Sequence, residues 1–330
     1  MGEMLVTRRI LMSALLAGSA AFAPHKVCSA LAAAPQIGKP APAWYRYRLG
    51  DFEITAISDG LWLREIDDKF MRNVTLADLQ QALANSFQPT NGMPTPFTSI
   101  CVNTGSRLVL IDTGTGGQLR YVAPQTGTWM ANLAAAGIDP KDVDAVLISH
   151  FHFDHINGLK TKDSALVFPN AEIMVSSAEW TYWLDDARMN DAPEDRKPVF
   201  RNVRRIFGDI AKKVHRFEPG GELVPGITSI AAYGHTPGHT AYAVASGRES
   251  LLVIGDVAEN PPVFMRHPEW QPRFDVDGPA AVDTRKRLLD RAAADRMLVQ
   301  GYHFPFPACG HVARTATGYD LVPVTWHTTP

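Results

Sequence analysis

Cysteine is scarce in this chain, with three in 330 residues. Cys28 falls in an N-terminal stretch read below as removable, which leaves Cys101 and Cys309. Two thiols make no disulfide framework, and neither has a neighbour at metal-binding spacing, so both are expected to be buried and reduced. An excess of either charge is missing too. Thirty-two basic and 34 acidic side chains give a net charge of −2, which offers no field to nucleic acid or an anionic membrane. The apolar run from Ile10 to Ala23 is too short to span a bilayer comfortably. No period of 20–50 residues repeats, and no linker divides the remainder. With 45% hydrophobic and 20% charged residues, the chain reads as an ordinary soluble globular protein, one domain over residues 35–330.

The first 34 residues read as a secretory signal of the twin-arginine type. Arg8 and Arg9 stand directly before the apolar run, and small residues follow, with Ala30-Leu31-Ala32 or Ala32-Ala33-Ala34 as the cleavage site. Ala21-Phe22-Ala23 is the weaker choice because Pro24 follows it. The competing reading is a buried N-terminal helix. A signal places the mature protein in the periplasm or outside the cell, with no membrane segment of its own. Its removal takes Arg8, Arg9, Lys26 and Glu3, leaving 29 basic against 33 acidic residues.

What the sequence concentrates is metal-ligand chemistry. His150-Phe151-His152-Phe153-Asp154-His155 packs four ligand-type side chains into six residues. The branched, apolar run Asp144–Ser149 before it reads as a buried strand, and Asn157-Gly158 after it as a turn. The four therefore sit on a loop leaving a core strand. Alternate residues of an extended stretch point the same way, so His150 and His152 can share one ion, and a turn after Phe153 lets Asp154 and His155 face a second. Imidazole with carboxylate suits zinc or a similar divalent ion. A histidine-rich loop without metal is the bland alternative.

Strands are read at 51–60, 97–102, 107–112, 171–176, 227–233, 241–245, 251–254 and 297–300. Helices are read at 75–85, 129–136 (ended by Gly137), 178–186 and 280–296, with loop at 187–199 and a basic amphipathic helix with a solvated face at 202–214. Three further ligand types stand just past strand ends. They are His235 in Gly234-His235-Thr236-Pro237-Gly238-His239, Asp256 after Leu251–Gly255, and His303 after Met297–Tyr302. By strand-end placement His235 is the better ligand, and His239 the better supporting or structural histidine. Asp112, at the end of Leu108–Ile111, is either a simple turn residue or a buried carboxylate that accepts N–H from a metal-bound histidine.

H-x-H-x-D-H, a histidine in G-H-T-P-G-H, a strand-end aspartate and a strand-end histidine together resemble the metallo-β-lactamase superfamily over essentially the whole mature chain. Leu49–Ala56, Val102–Ser106, Leu108–Leu110, Leu223–Ile227, Gly318-Tyr319 and Val322–Val324 look like its methyl parathion hydrolase branch. The resemblance implies an α+β, four-layer αββα sandwich with a binuclear site. His150, His152 and His235 would hold one ion, and Asp154, His155 and His303 the other. Asp256 would bridge them, and Asp154 and Asp256 are the residues placed as catalytic. Two divalent ions, zinc foremost, about 3.5–4 Å apart can share a hydroxide that attacks phosphorus or a carbonyl carbon. The resemblance also implies a homodimer.

The branch has an apolar, aromatic pocket, for which Trp180, Trp183, Phe200 and Phe304 are candidates. Trp183 and Phe200 fall where the resemblance puts pocket aromatics. The segment from Gly116 to Gly127 departs from the family and places Tyr121 near the entrance. The leading expectation is a hydrolase of aryl dialkyl phosphotriesters, with a lactonase or arylesterase as the close alternative and a β-lactamase less favoured. A mononuclear iron dioxygenase and a non-catalytic binding module are the readings from other classes. The complete set of seven ligand types argues against both.

Overall fold

The structure, a computed structural model, describes residues 36–38 and 40–326. The stretch read as an export signal lies outside the described residues. Residues 36–38 and 40 carry no regular structure, and the unit that holds the site runs from Ala41 onward.

Two sheets organise that unit. The first contains β1 (Trp44–Leu49), β2 (Phe52–Glu65), β3 (Gly92–Asn103), β4 (Leu108–Ile111), β5 (Ala145–Leu147), β6 (Glu172–Ser176) and β7 (Val214–Phe217), side by side in chain order. The second contains β8 (Glu222–Val224), β9 (Ile227–Ala231), β10 (Thr240–Ser246), β11 (Glu249–Gly255), β12 (Leu298–Gly301), β13 (Cys309–Arg314) and β14 (Tyr319–Pro323), again each beside its neighbour in sequence. Most pairs are antiparallel. The exceptions, β4 to β7 and β11 with β12, are parallel. Parallel neighbours need long crossovers, and these supply most helices: α2 (Trp129–Ala135), α3 (Phe153–Ile156), α4 (Ser177–Trp183), α5 (Asp186–Asp191), α6 (Lys197–Phe207) and α7 (Gly278–Ala294), while α1 (Leu76–Asn85) lies in the connection between the antiparallel β2 and β3.

Strand periodicity sorts the core into layers. Val109, Ile111, Ala145 and Leu147 of the first sheet meet Tyr242, Val244, Leu251 and Val253 of the second. The alternate residues face outward. Leu110, Val146 and Val175 pack under Leu133, Trp180, Val203 and Ile206. Leu252, Ile254 and Val299 pack under Leu79, Leu83, Leu288 and Leu289. Helices therefore cover both outer faces, which is the αββα sandwich.

Several element boundaries differ from the sequence reading. The edge strands β1, β7, β8 and β14, and β13 beside β14, lack a strong apolar run, and only their neighbours make them strands. The helix expected at 178–186 breaks because the Asp185 side chain accepts from Arg188 N–H and caps a new one, α5. The basic helix starts earlier, at Lys197, and buries Phe200, Val203, Ile206 and Phe207, while Arg201 and Arg205 stay exposed. Helix α1 is as expected, with Thr75 and Asp78 forming a reciprocal capping box. Cys101 and Cys309 are free and buried. Among the described residues no helix is long and apolar enough to cross a membrane.

Candidate metal centre

Because β4 runs parallel to β5, and β11 to β12, their C-terminal ends open on one side. The first parallel pair delivers Asp112 and the 150–155 loop, and the second delivers Asp256 and His303. The β9–β10 turn brings His235. The sheets are tied at this edge by Thr240 N–H donating to Ser149 O at 2.9 Å and Tyr242 Oη to Ile148 O at 2.7 Å. His150 and His152 leave β5 extended. The single turn of α3 then swings Asp154 and His155 to another side. Gly158 ends this loop against β4. A Cβ there would stand 1.8 Å from Thr113 O, so only glycine permits the approach.

The seven ligand-type side chains gather into one group, with His150, His155, His235, Asp256 and His303 buried and His152 and Asp154 partly exposed. His152 Nδ1 lies 2.9 Å from His150 Nε2 and 3.0 Å from His235 Nε2. Asp256 Oδ2 lies 3.4 Å from His235 Nε2 and 3.7 Å from His150 Nε2. On the other side, Asp154 Oδ2 is 3.5 Å from both His155 Nε2 and His303 Nε2. Asp256 reaches this half as well, 3.3 Å from His155 Nε2 and 3.0 Å from His303 Nε2. The donor atoms of His150, His152, His235 and Asp256 lie within 4.8 Å of one another, as do those of Asp154, His155 and His303.

Outer partners decide what these atoms present. His155 Nδ1 donates to Asp112 Oδ2 at 2.8 Å, His235 Nδ1 to Asp275 Oδ1 at 2.8 Å, and His303 Nδ1 to Pro96 O at 2.8 Å. A carbonyl or carboxylate can only accept, so the neutral rings carry their proton outside and turn a lone pair inward. Ser149 Oγ donates to Asp112 Oδ2 at 2.7 Å and can accept from His150 Nδ1 at 3.1 Å, which treats His150 the same way. Lone pairs then face carboxylate oxygens, and His155 Nε2 and Asp256 Oδ1 are buried without a hydrogen-bond partner. Two divalent ions would take up those inward lone pairs and the carboxylate oxygens together, so the residues fit them. Charge follows the same logic. Burial and crowding by like groups push His150 and His152 down and His235 down to about 4. Burial also opposes charge on His155 and His303, but Asp256 and Asp154 outweigh it and raise both.

His239 stays outside the cluster. Its Nε2 accepts from Asp256 N–H at 3.1 Å, which positions the central carboxylate. Asp112 adopts φ 61°, a left-handed conformation that aspartate tolerates better than most residues, and so reaches Ser149 N–H, Ser149 Oγ and His155 Nδ1. We expect Asp112→Asn to weaken metal binding about 10- to 100-fold. The amide would face His155 with N–H and force the wrong tautomer. Competition with a chromophoric chelator reads the change, and unaltered affinity would refute the role.

A model of the metallo-beta-lactamase superfamily matches residues 95–303. The chain belongs to that superfamily. A probable metallo-hydrolase of Mycobacterium tuberculosis is 26% identical over 176 residues, 48% of this chain and 55% of that protein. The chain spans about half the length of the first curated relatives it matches. Two solved structures are similar over most of both chains. One is the hydrolase AbOPH of the beta-lactamase superfamily (27% identity, TM-score 0.80, 88% of this chain and 100% of that one). The other is AidC, a dizinc quorum-quenching lactonase (27%, TM-score 0.81, 87% and 99%).

In this superfamily member a cavity of about 710 Å³ opens on the cluster, with His152, Asp154, His235 and Asp256 in its wall. Of the five pocket residues expected from sequence, Tyr121 lines it and is 80% exposed. The other four are corrected. Trp180 and Phe200 are buried in the helical layer over the first sheet, and Phe304 in the core of the second. Trp183 is fully buried behind His152, its ring 6.2 Å away and its Nε1–H donated to Glu179. Trp62, Phe70, Phe153 and Phe274 supply the aromatic surface instead. Glu179, Asp275, Arg64 and Glu259 escaped the sequence reading. Glu179 left one signal, a lone carboxylate on the Trp180–Trp183 face of a short helix.

Proposed function

We propose that the protein hydrolyses small carboxylic esters or lactones at a two-ion centre, zinc being the ion best matched to the imidazole-rich set. The observation that carries this reading is the cavity wall, where the ligand cluster, an aromatic surface and the buried ion pair Arg64–Glu259 share one space. Two divalent ions held by His150, His152, His235 and by Asp154, His155, His303 would supply a nucleophile from water near neutral pH and polarise the acyl oxygen. Asp256 belongs to both halves, and its backbone is held by His239. Phe70, Phe153 and Phe274 give an apolar substrate body a surface to displace water from. Similarity to AidC, a dizinc lactonase, supports the same reading.

The second reading is an aryl dialkyl phosphotriester, favoured by the methyl parathion hydrolase-like stretches. Side-by-side kcat/KM on one metal-quantified sample tests the choice. An aromatic lactone is expected to exceed an aryl dialkyl phosphotriester by at least about tenfold, about 1.4 kcal/mol in transition-state binding. The reverse order would assign the site to phosphorus.

A further inference from the structure

The two halves of the ligand cluster differ in chemistry. The first draws on His150, His152 and His235, with Asp256 as its carboxylate. The second has Asp154 of its own, beside His155 and His303, and Asp256 reaches it too. A further carboxylate stands at the edge of this second half. Glu259 is buried, and one of its oxygens lies within 4.8 Å of donor atoms of Asp256 and His303. Arg64 Nη1 donates to Glu259 Oε2 at 3.1 Å, the one side-chain hydrogen bond that Glu259 makes among the described residues. Oε1 is left for another cation. Arg64 is itself well placed. It pairs with Met93 across β2 and β3, and its guanidinium lies 4.9 Å from the Trp62 centroid and 4.7 Å from that of Phe274. The guanidinium therefore offsets the cost of burying a third carboxylate here. Asp256 Oδ1 and His155 Nε2, in the same half, are buried without a hydrogen-bond partner.

We propose that Glu259 is a further ligand of the second ion, and that the two halves therefore select different metals. The imidazole-rich half takes zinc. The carboxylate-rich half takes a harder ion, manganese(II). With Glu259 the second half presents Asp154, Asp256 and Glu259 to a cation beside His155 and His303. The first presents Asp256 alone beside His150, His152 and His235. Few donors dominated by imidazole suit tetrahedral zinc, whereas a larger, oxygen-rich set suits manganese. Zinc binds more tightly than manganese at almost any such site. The selectivity therefore shows as a difference in the zinc-to-manganese ratio between the halves. The inference rests on the two-ion reading above and is independent of the substrate.

The test loads the full chain with one equivalent of zinc and then titrates a second ion, manganese(II) or zinc. Electron paramagnetic resonance of free manganese and competition with a chromophoric chelator read the second step. Anomalous diffraction at the zinc and manganese edges locates each ion in the mixed form. Zinc is expected on His150, His152 and His235, and manganese on Asp154, His155 and His303 with Glu259 in its shell. Glu259→Gln still accepts from Arg64 but brings no charge. It should weaken manganese at the second step about 10- to 100-fold, and shift the second-step preference toward zinc by at least about tenfold. The first zinc should change by less than about threefold. A carboxylate acting only through space would weaken both second ions alike. An unshifted preference in the folded variant would therefore overturn the inference, as would manganese on the His150 half. So would wild-type diffraction with Glu259 outside both shells, a measurement that serves if the variant does not fold. Fewer than two divalent ions bound by wild type would overturn the two-ion reading and the inference with it.

Discussion

Replacing Asp256 by asparagine or alanine is expected to abolish turnover, by at least about 10³-fold or 4 kcal/mol, and to lower metal content while the chain stays folded. The argument is geometric. Among the described residues Asp256 is the one carboxylate within 3.7 Å of His150, His155, His235 and His303 together. Both half-sites depend on it. Burial works against its charge, and His303, His155 and His150 outweigh that and hold it well below the usual carboxylate range. Asparagine fills the same space, so its comparison with alanine separates lost charge from a lost contact. It cannot carry the negative charge that two cations share. Metal content by atomic emission, melting temperature and kcat together check the prediction. Full activity in either variant would remove Asp256 from its central place.

Glu179→Gln is expected to destabilise the fold by about 2–3 kcal/mol, a melting-temperature drop of about 3–5 °C, and to weaken metal binding with it. Glu179 is buried and accepts four hydrogen bonds. Oε1 receives Phe151 N–H at 2.9 Å and Trp183 Nε1–H at 2.7 Å. Oε2 receives Thr236 Oγ1–H at 2.8 Å and Gly238 N–H at 2.8 Å. One side chain thus ties the 150–155 loop to the His235 turn, and so aligns ligands from both sheets. Glutamine cannot replace it. Whichever way the amide turns, its NH₂ meets a backbone N–H that has nowhere else to donate. Gly238 allows the close approach, since a Cβ there would stand 2.0 Å from Glu179 N. Thermal melts with and without added zinc check both parts. A wild-type melting curve would show that the loops hold their places without this carboxylate.

The ligand cluster was legible because metal chemistry restricts residue type and strand ends restrict position. His150, His152, Asp154, His155, His235, Asp256 and His303 each follow an apolar strand signal, and the structure gathers all seven. The pocket was less legible. Trp180, Trp183, Phe200 and Phe304 have the side chains that an aromatic pocket uses, and the same side chains fill a core. Which face of α4 or α6 turns inward depends on the sheet beneath it. Supporting residues were hidden for a related reason. Asp275 stands 40 residues beyond His235, and Glu179 reaches Phe151 and Gly238 across 28 and 59 residues. A lone buried carboxylate has no periodicity to announce it.

The sequence by itself determined the layers and the chemistry near the strand ends. Period-two burial sorts side chains between two faces, and glycine, proline and ligand-type residues mark the turns that carry function. Only the tertiary structure decided which nitrogens face inward, which carboxylates stand behind them, and that the aromatic wall comes from β2, Phe153 and Phe274 rather than from α4 and α6. Those choices depend on distances between segments far apart in sequence. Packing and the pairing of buried polar groups set such distances, and no local pattern encodes either.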